Sequence, residues 1–113
     1  MRRIFKYPLN NDGSIDSIVA PIVRTLKIKM QNGVPVLWAE IDENMEPFEL
    51  LIVAIGTGWA VSDAIEDWRY VGTVIDNDDL VWHYFGKIAD EESDDPIRDA
   101  WLSLLDDSEI MWS

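Results

Sequence analysis

Leu26-Lys27-Ile28-Lys29-Met30-Gln31-Asn32-Gly33-Val34-Pro35-Val36-Leu37-Trp38-Ala39-Glu40-Ile41 is the stretch that decides the fold. Leu26, Ile28 and Met30 alternate with Lys27, Lys29 and Gln31. Period-two alternation describes a half-buried antiparallel strand. Asn32-Gly33 follows, and then a second apolar run from Val34 to Ile41. Both central positions of a two-residue hairpin turn need positive φ, which Asn and Gly supply. The sequence therefore predicts a β-hairpin here.

Working outward, Arg2 to Leu9 reads as a strand with Phe5, Tyr7 and Leu9 on one side and Lys6 on the other. Asn10-Asn11-Asp12-Gly13-Ser14 is a turn cluster. Ile15 to Val19 reads as a short strand stopped by Pro21. Beyond the hairpin, Asp42 to Pro47 is a polar loop. Phe48 to Ile55 is apolar on both faces and so is expected at the centre of a sheet. Gly56-Thr57-Gly58 breaks it. Ala60 to Asp67 fits either a helical turn or a loop. Trp68 to Ile75 and Leu80 to Phe85 read as antiparallel partners around the turn Asp76 to Asp79. After Gly86 the character changes. Asp90, Glu91, Glu92, Asp94 and Asp95 form a charged linker. Pro96 suits a first helical position, and Ile97, Trp101, Leu104 and Leu105 recur at helical spacing.

The expected fold is mostly β (α+β): an antiparallel β-sandwich or small open barrel with one C-terminal helix. Residues 1–86 form the β domain. Residues 87–113 are an acidic linker and amphipathic helix packed on the same domain. A chain of 113 residues favours one domain. No apolar run approaches the roughly 18 residues that span a bilayer. No apolar stretch follows Arg2, Arg3 and Lys6 to make a secretory signal. With no cysteine there is no disulfide and no thiolate metal site. A cytoplasmic location in a bacterial host is the expectation.

Charge narrows the function classes. The net charge is −13, from 22 acidic and 9 basic side chains. Residues 1–30 hold six basic and two acidic residues, residues 31–85 one and eleven, and residues 86–113 two and nine. Such a field repels nucleic acid and anionic membranes and attracts basic surfaces. Direct nucleic-acid or membrane binding is not expected. Duplex DNA shows about one charge per 1.7 Å of axis, and a small domain with this acid load can imitate that density. The candidate partner-binding residues fall in three clusters. The first is Glu40, Asp42, Glu43, Glu46 and Glu49; the second is Asp76, Asp78 and Asp79; the third is Asp90, Glu91, Glu92, Asp94 and Asp95. The plainer reading is that the acid keeps a small protein soluble. Trp59, Trp101 and Trp112 are candidate anchors, because Trp is favoured at binding hot spots. Trp38, Trp68 and Trp82 lie in expected strands and read as core.

Other chemistries find little support. Gly56-Thr57-Gly58 opens like a dinucleotide fingerprint, but Val61 stands where its third small residue belongs and no βαβ unit surrounds it. A bulge or sharp corner explains the glycines better. Asp76-Asn77-Asp78-Asp79 starts like a calcium loop, but Leu80 and Val81 occupy the positions of a ligand and a glycine. His83 is the one histidine, so no His-based metal cage is expected. No catalytic residue, metal or cofactor is predicted, and no enzymatic activity.

Ile4-Phe5-Lys6-Tyr7-Pro8-Leu9, the run Val23 to Met30, Gln31 to Ala39, Gly56-Thr57-Gly58 and Tyr70-Val71-Gly72-Thr73 together resemble a family of small proteins of bacterial viruses and prophages, whose function is unknown. The resemblance covers roughly residues 2–85. It implies phage origin and a small β domain, and no activity. Family members often carry His after the second glycine, where this chain has Trp59. The acidic extension 86–113 looks like an addition to the family core.

The expected function is inhibition by binding. A phage-encoded acidic protein would act as a DNA mimic on a basic, nucleic-acid-binding host defence protein of the CRISPR or restriction type. The alternatives are a phage accessory protein that assembles with itself, possible as a homo-oligomer, and a β domain that sequesters a small ligand such as a nucleotide.

Overall fold

The computed structural model describes residues 1–89. Seven antiparallel strands build two sheets. Sheet A has the order β1-β4-β3, with β1 at Arg2–Pro8, β3 at Ile22–Gln31 and β4 at Val34–Asp42. Sheet B has the order β2-β5-β7-β6, with β2 at Ile15–Ala20, β5 at Phe48–Gly56, β6 at Arg69–Ile75 and β7 at Val81–Ile88.

The hairpin 26–41 forms as its sequence predicts. Asn32 and Gly33 hold φ of 52° and 79°, the doubly positive geometry of the tight hairpin turn. β3 begins four residues earlier than expected, at Ile22. Its register slips between Ile22 and Arg24 and again between Thr25 and Lys27, so two extra residues bend the strand without ending it. β5 lies between β2 and β7, the interior position its two apolar faces call for. β6 and β7 pair around the expected turn.

Pro21 separates β2 from β3, yet the two strands belong to different sheets. Ala20 is the last partner of sheet B, opposite Phe48, and Ile22 the first of sheet A, opposite Ile41. Proline has no N–H to leave unpaired at this corner, and its carbonyl accepts from the Asp42 N–H at 3.0 Å. The inner faces of both sheets close over one core. Leu37, Ala39 and Ile41 of β4 meet Leu50, Ile52, Ala54, Tyr84 and Ile88 of sheet B.

The α+β expectation is corrected. Residues 1–89 are all-β, and their one helical feature is a 3₁₀ turn at Asp63–Ile65. Ser62 Oγ accepts from the Ala64 N–H at its start. The helix expected over 96–106 lies outside the described residues. Two core expectations also change. Trp82 is buried, but Trp38 is half-buried on the outer face of sheet A, and Trp68 half-buried just before β6.

Candidate functional site

Four chain segments meet at one end of the sandwich: the β1–β2 loop, the β3–β4 turn, the exit from β5 and the β6–β7 turn. Their side chains hold them together. Tyr84, fully buried on β7, donates its hydroxyl to the Asn10 carbonyl at 2.9 Å. Burial raises its phenol pKa, and the nearby carboxylates of Asp16, Asp12 and Asp76 raise it further. It stays a neutral donor.

Asp76 organises the β6–β7 turn. Its Oδ1 accepts from the backbone N–H of Asp78 at 2.8 Å and of Leu80 at 3.0 Å. Its Oδ2 accepts from Trp82 Nε1 at 2.9 Å. The Trp82 bond, followed by the backbone bonds, holds this carboxyl below the usual range against partial desolvation. The calcium-like Asp76-Asn77-Asp78-Asp79 is therefore a turn whose first carboxylate is saturated by the protein.

Trp59 follows the Gly56-Thr57-Gly58 corner. Its ring stands edge-on to Trp82, with centroids 5.1 Å apart at 86°. A Cβ on Gly56 would lie 2.9 Å from the indole, so that position must be glycine for Trp59 to fold back. Trp59 is still 49% exposed. Trp59, Trp82, Leu80 and Asp79 line an open cavity of about 340 Å³. Beside it, Thr57 Oγ1 is 2.7 Å from His83 Nε2, Thr73 Oγ1 is 3.1 Å from Nδ1, and Tyr70 Oη is 2.6 Å from Thr73 Oγ1. Both imidazole nitrogens are thus engaged by hydroxyls.

The acidic candidates divide. Glu40 is nearly buried and already paired: it is 9% exposed, bonded to Arg24 at 2.8 Å and paired with Arg2 at 3.5 Å. Asp42 pairs with the N-terminal ammonium at 3.8 Å and accepts from the Asn44 N–H. Glu43 pairs with Arg3, and Glu49 accepts from the Ser17 hydroxyl. Asp76 is held in its turn. Glu46, Asp78 and Asp79 remain exposed. Asp90, Glu91, Glu92, Asp94, Asp95, Trp101 and Trp112 lie outside the described residues. Among the described residues, no group of three or more His, Cys, Asp or Glu could hold a metal ion.

A family model described as a domain of unknown function, DUF7352, matches residues 1–95. The chain belongs to this family. No curated protein and no solved structure matches it. The DUF7352 match takes in all seven strands and runs ten residues past the end at 85 expected from the resemblance. It leaves 96–113 outside.

Two features of this DUF7352 domain were out of reach of the sequence reading. One is the hydroxyl–imidazole chain, which needs the pairing of Thr73 with His83 across β6 and β7. The other is charge placement. Among the described residues, all nine acidic residues outside the strands sit in loops that carry no Lys or Arg, whereas sheet A carries six cations and two carboxylates. That the cations gather on one sheet needs β1 and β3 to flank β4.

Proposed function

We propose that this protein is a phage-encoded inhibitor that occupies the basic, nucleic-acid-binding surface of a host defence protein of the CRISPR or restriction type. One observation carries the reading: half-exposed Trp59 and exposed Leu80 line one cavity with Asp79, beside Asp78, at a loop end where the described loops hold no cation. Apolar anchors ringed by charge are the usual anatomy of a binding hot spot. The carboxylates steer a basic partner inward, and the anchors hold it. Asp63 and Glu66 extend the negative potential along the connection that leaves β5.

The test is capture from bacterial lysate by the tagged protein, followed by challenge with duplex DNA. The expected result is a nucleic-acid-binding protein held at low salt, released as screening shortens below about 10 Å, and displaced by the DNA. The Asp78→Lys/Asp79→Lys variant loses it, and Trp59→Ala weakens it. Capture indifferent to salt and to both variants would sink the reading. The cavity supports a second one, since about 340 Å³ falls within the ~300–1,000 Å³ range of small-molecule sites. A rise in melting temperature with a nucleotide, lost in Trp59→Ala, would favour that sequestering role.

A further inference from the structure

The outer face of sheet A differs from every other surface described above. Register sets its side chains in rows across β1, β4 and β3. Arg2 stands beside Asp42, Ile4 beside Glu40 and Arg24, Lys6 beside Trp38 and Lys27, and Pro8 beside Val36 and Lys29. Trp38 thus lies between two lysines, each about 4.8 Å away in backbone spacing. Arg2 and Arg24 neutralise Glu40. Lys6 is bonded to neutral Gln31. Lys27 and Lys29 are exposed and form no ion pair with a described residue. A molecule of net charge −13 therefore carries one face with three lysines uncompensated around an aromatic ring and an isoleucine that is 61% exposed.

We propose that this face is a docking surface and that its occupant is the chain's own acidic segment, residues 90–113. That segment holds nine carboxylates and one arginine, together with Trp101 and Trp112, so it complements the face in both charge and apolar character. It also starts close by. The Ala89 N–H is bonded to the Glu49 carbonyl, at the same end of the sandwich as Arg2 and Asp42. Twenty-four residues can reach up to about 80 Å at ~3.3 Å each, against a longest molecular dimension of 40 Å. A tethered ligand acts at an effective concentration on the order of millimolar.

The competing surface is the apolar outer face of sheet B, where Ile15, Val19 and Ile75 are exposed. β5 and β6 flank β7 in the same direction, so the connection 57–68 must run the length of that sheet. It brings Asp63, Glu66 and Asp67 and no cation, and Asp67 meets Lys87 of β7 at 3.9 Å. Like charge disfavours the segment there and attraction favours it on sheet A. The inference rests on charge placement and register, and stands whether or not the inhibitor reading does. Docked in cis, the segment shields sheet A from foreign polyanions and is itself withheld from a basic partner.

The absence of cysteine makes a clean test available. A nitroxide on Ser113→Cys in the full chain would be read through backbone amide intensities by NMR. At about 50 mM salt the expected loss is about twofold or more at Lys6, Lys27, Lys29 and Trp38, with recovery near 1 M salt, where the screening length is ~3 Å. Lys27→Glu/Lys29→Glu abolishes the low-salt loss while the melting temperature holds. Loss at Val19, Val53 and Phe85 instead would place the segment on sheet B and overturn the proposal. So would no loss at either face at low salt. Loss in a mixture of labelled unenriched chain and unlabelled ¹⁵N chain would make a second copy the occupant. Relief by an equimolar single-stranded oligonucleotide would assign the face to nucleic acid. Either of these overturns the cis assignment.

Discussion

Sheet A and sheet B share one core but treat their outer faces in opposite ways. Sheet A alternates apart from the bulges of β3: Leu37, Ala39 and Ile41 point inward, while Arg2, Lys6, Arg24, Lys27, Lys29 and Glu40 point outward. Sheet B is apolar on both sides. Leu50, Ile52 and Ala54 face the core, and Leu51, Val53 and Ile55 face out on the same strand. The lesson is that apolar area and charge are weighted differently in two sheets that share the core. Sheet B supplies buried area, the main favourable term in folding, and sheet A supplies a field.

The largest expected effect tests the sheet B half of that division. Tyr84→Ala empties a fully buried site and should cost roughly 3–5 kcal/mol in urea unfolding. Tyr84→Phe, which keeps the ring and loses the bond to the Asn10 carbonyl, should cost about 1 kcal/mol. Equal costs would mean that the hydrogen bond, not the burial, is what matters.

Next comes sheet A. Glu40→Ala leaves Arg24 and Arg2 without their shared partner. Because both arginines are half or more exposed, the expected cost is about 1–2 kcal/mol, discounted for solvent screening from the ~1.5–3 kcal/mol of bonds to charged groups. Salt near 1 M should narrow that cost, and leave the Tyr84→Ala cost unchanged. A Glu40→Ala cost that ignores salt would erase the contrast between the sheets.

A smaller effect concerns the Asp76 turn, and its signature is pH. The folded carboxyl titrates below its ordinary value, chiefly through the Trp82 bond. A group with a depressed folded pKa adds stability that is present above its unfolded pKa, about 3.9, and lost as pH falls through the folded one. The gap between wild type and Asp76→Asn should therefore be full at pH 7 and close progressively below about pH 4. A constant gap down to pH 2 would show that the carboxylate charge plays no part. The smallest effect is Asp67→Asn. This breaks a surface pair to Lys87 at 3.9 Å and should stay within about 0.5 kcal/mol by the same unfolding assay.

Strands and turns were legible because their signals are local. The period of 26–31, the Asn-Gly pair and the two-sided apolarity of 48–55 each act within a few residues. Asp76 and Trp82 sit six apart across a hairpin, and their bond could have been expected from the turn. The fate of Glu40 could not. It looked like one member of an acidic loop cluster, yet it faces Ile4 from one side and Arg24 from the other. That arrangement needs β1 to pair with β4 in one register, a contact across more than thirty residues that no local pattern encodes. The basic face was hidden for the same reason: its cations come from two separated strands and face one way only once those strands flank β4.

All six cations of sheet A lie on β1 and β3, its two edge strands. An edge strand offers unpaired N–H and C=O groups to any other chain, and lysines and arginines there discourage further strand addition. Pro8 at the end of β1 removes a donor as well. β2, an edge of sheet B, has no such guard. Its six residues carry one charge, Asp16, and show Ile15 and Val19 at 57% and 67% exposure. Where chains of this protein stick together, β2 is the strand that should meet its own copy, and a lysine at Val19 is the substitution that should keep them apart.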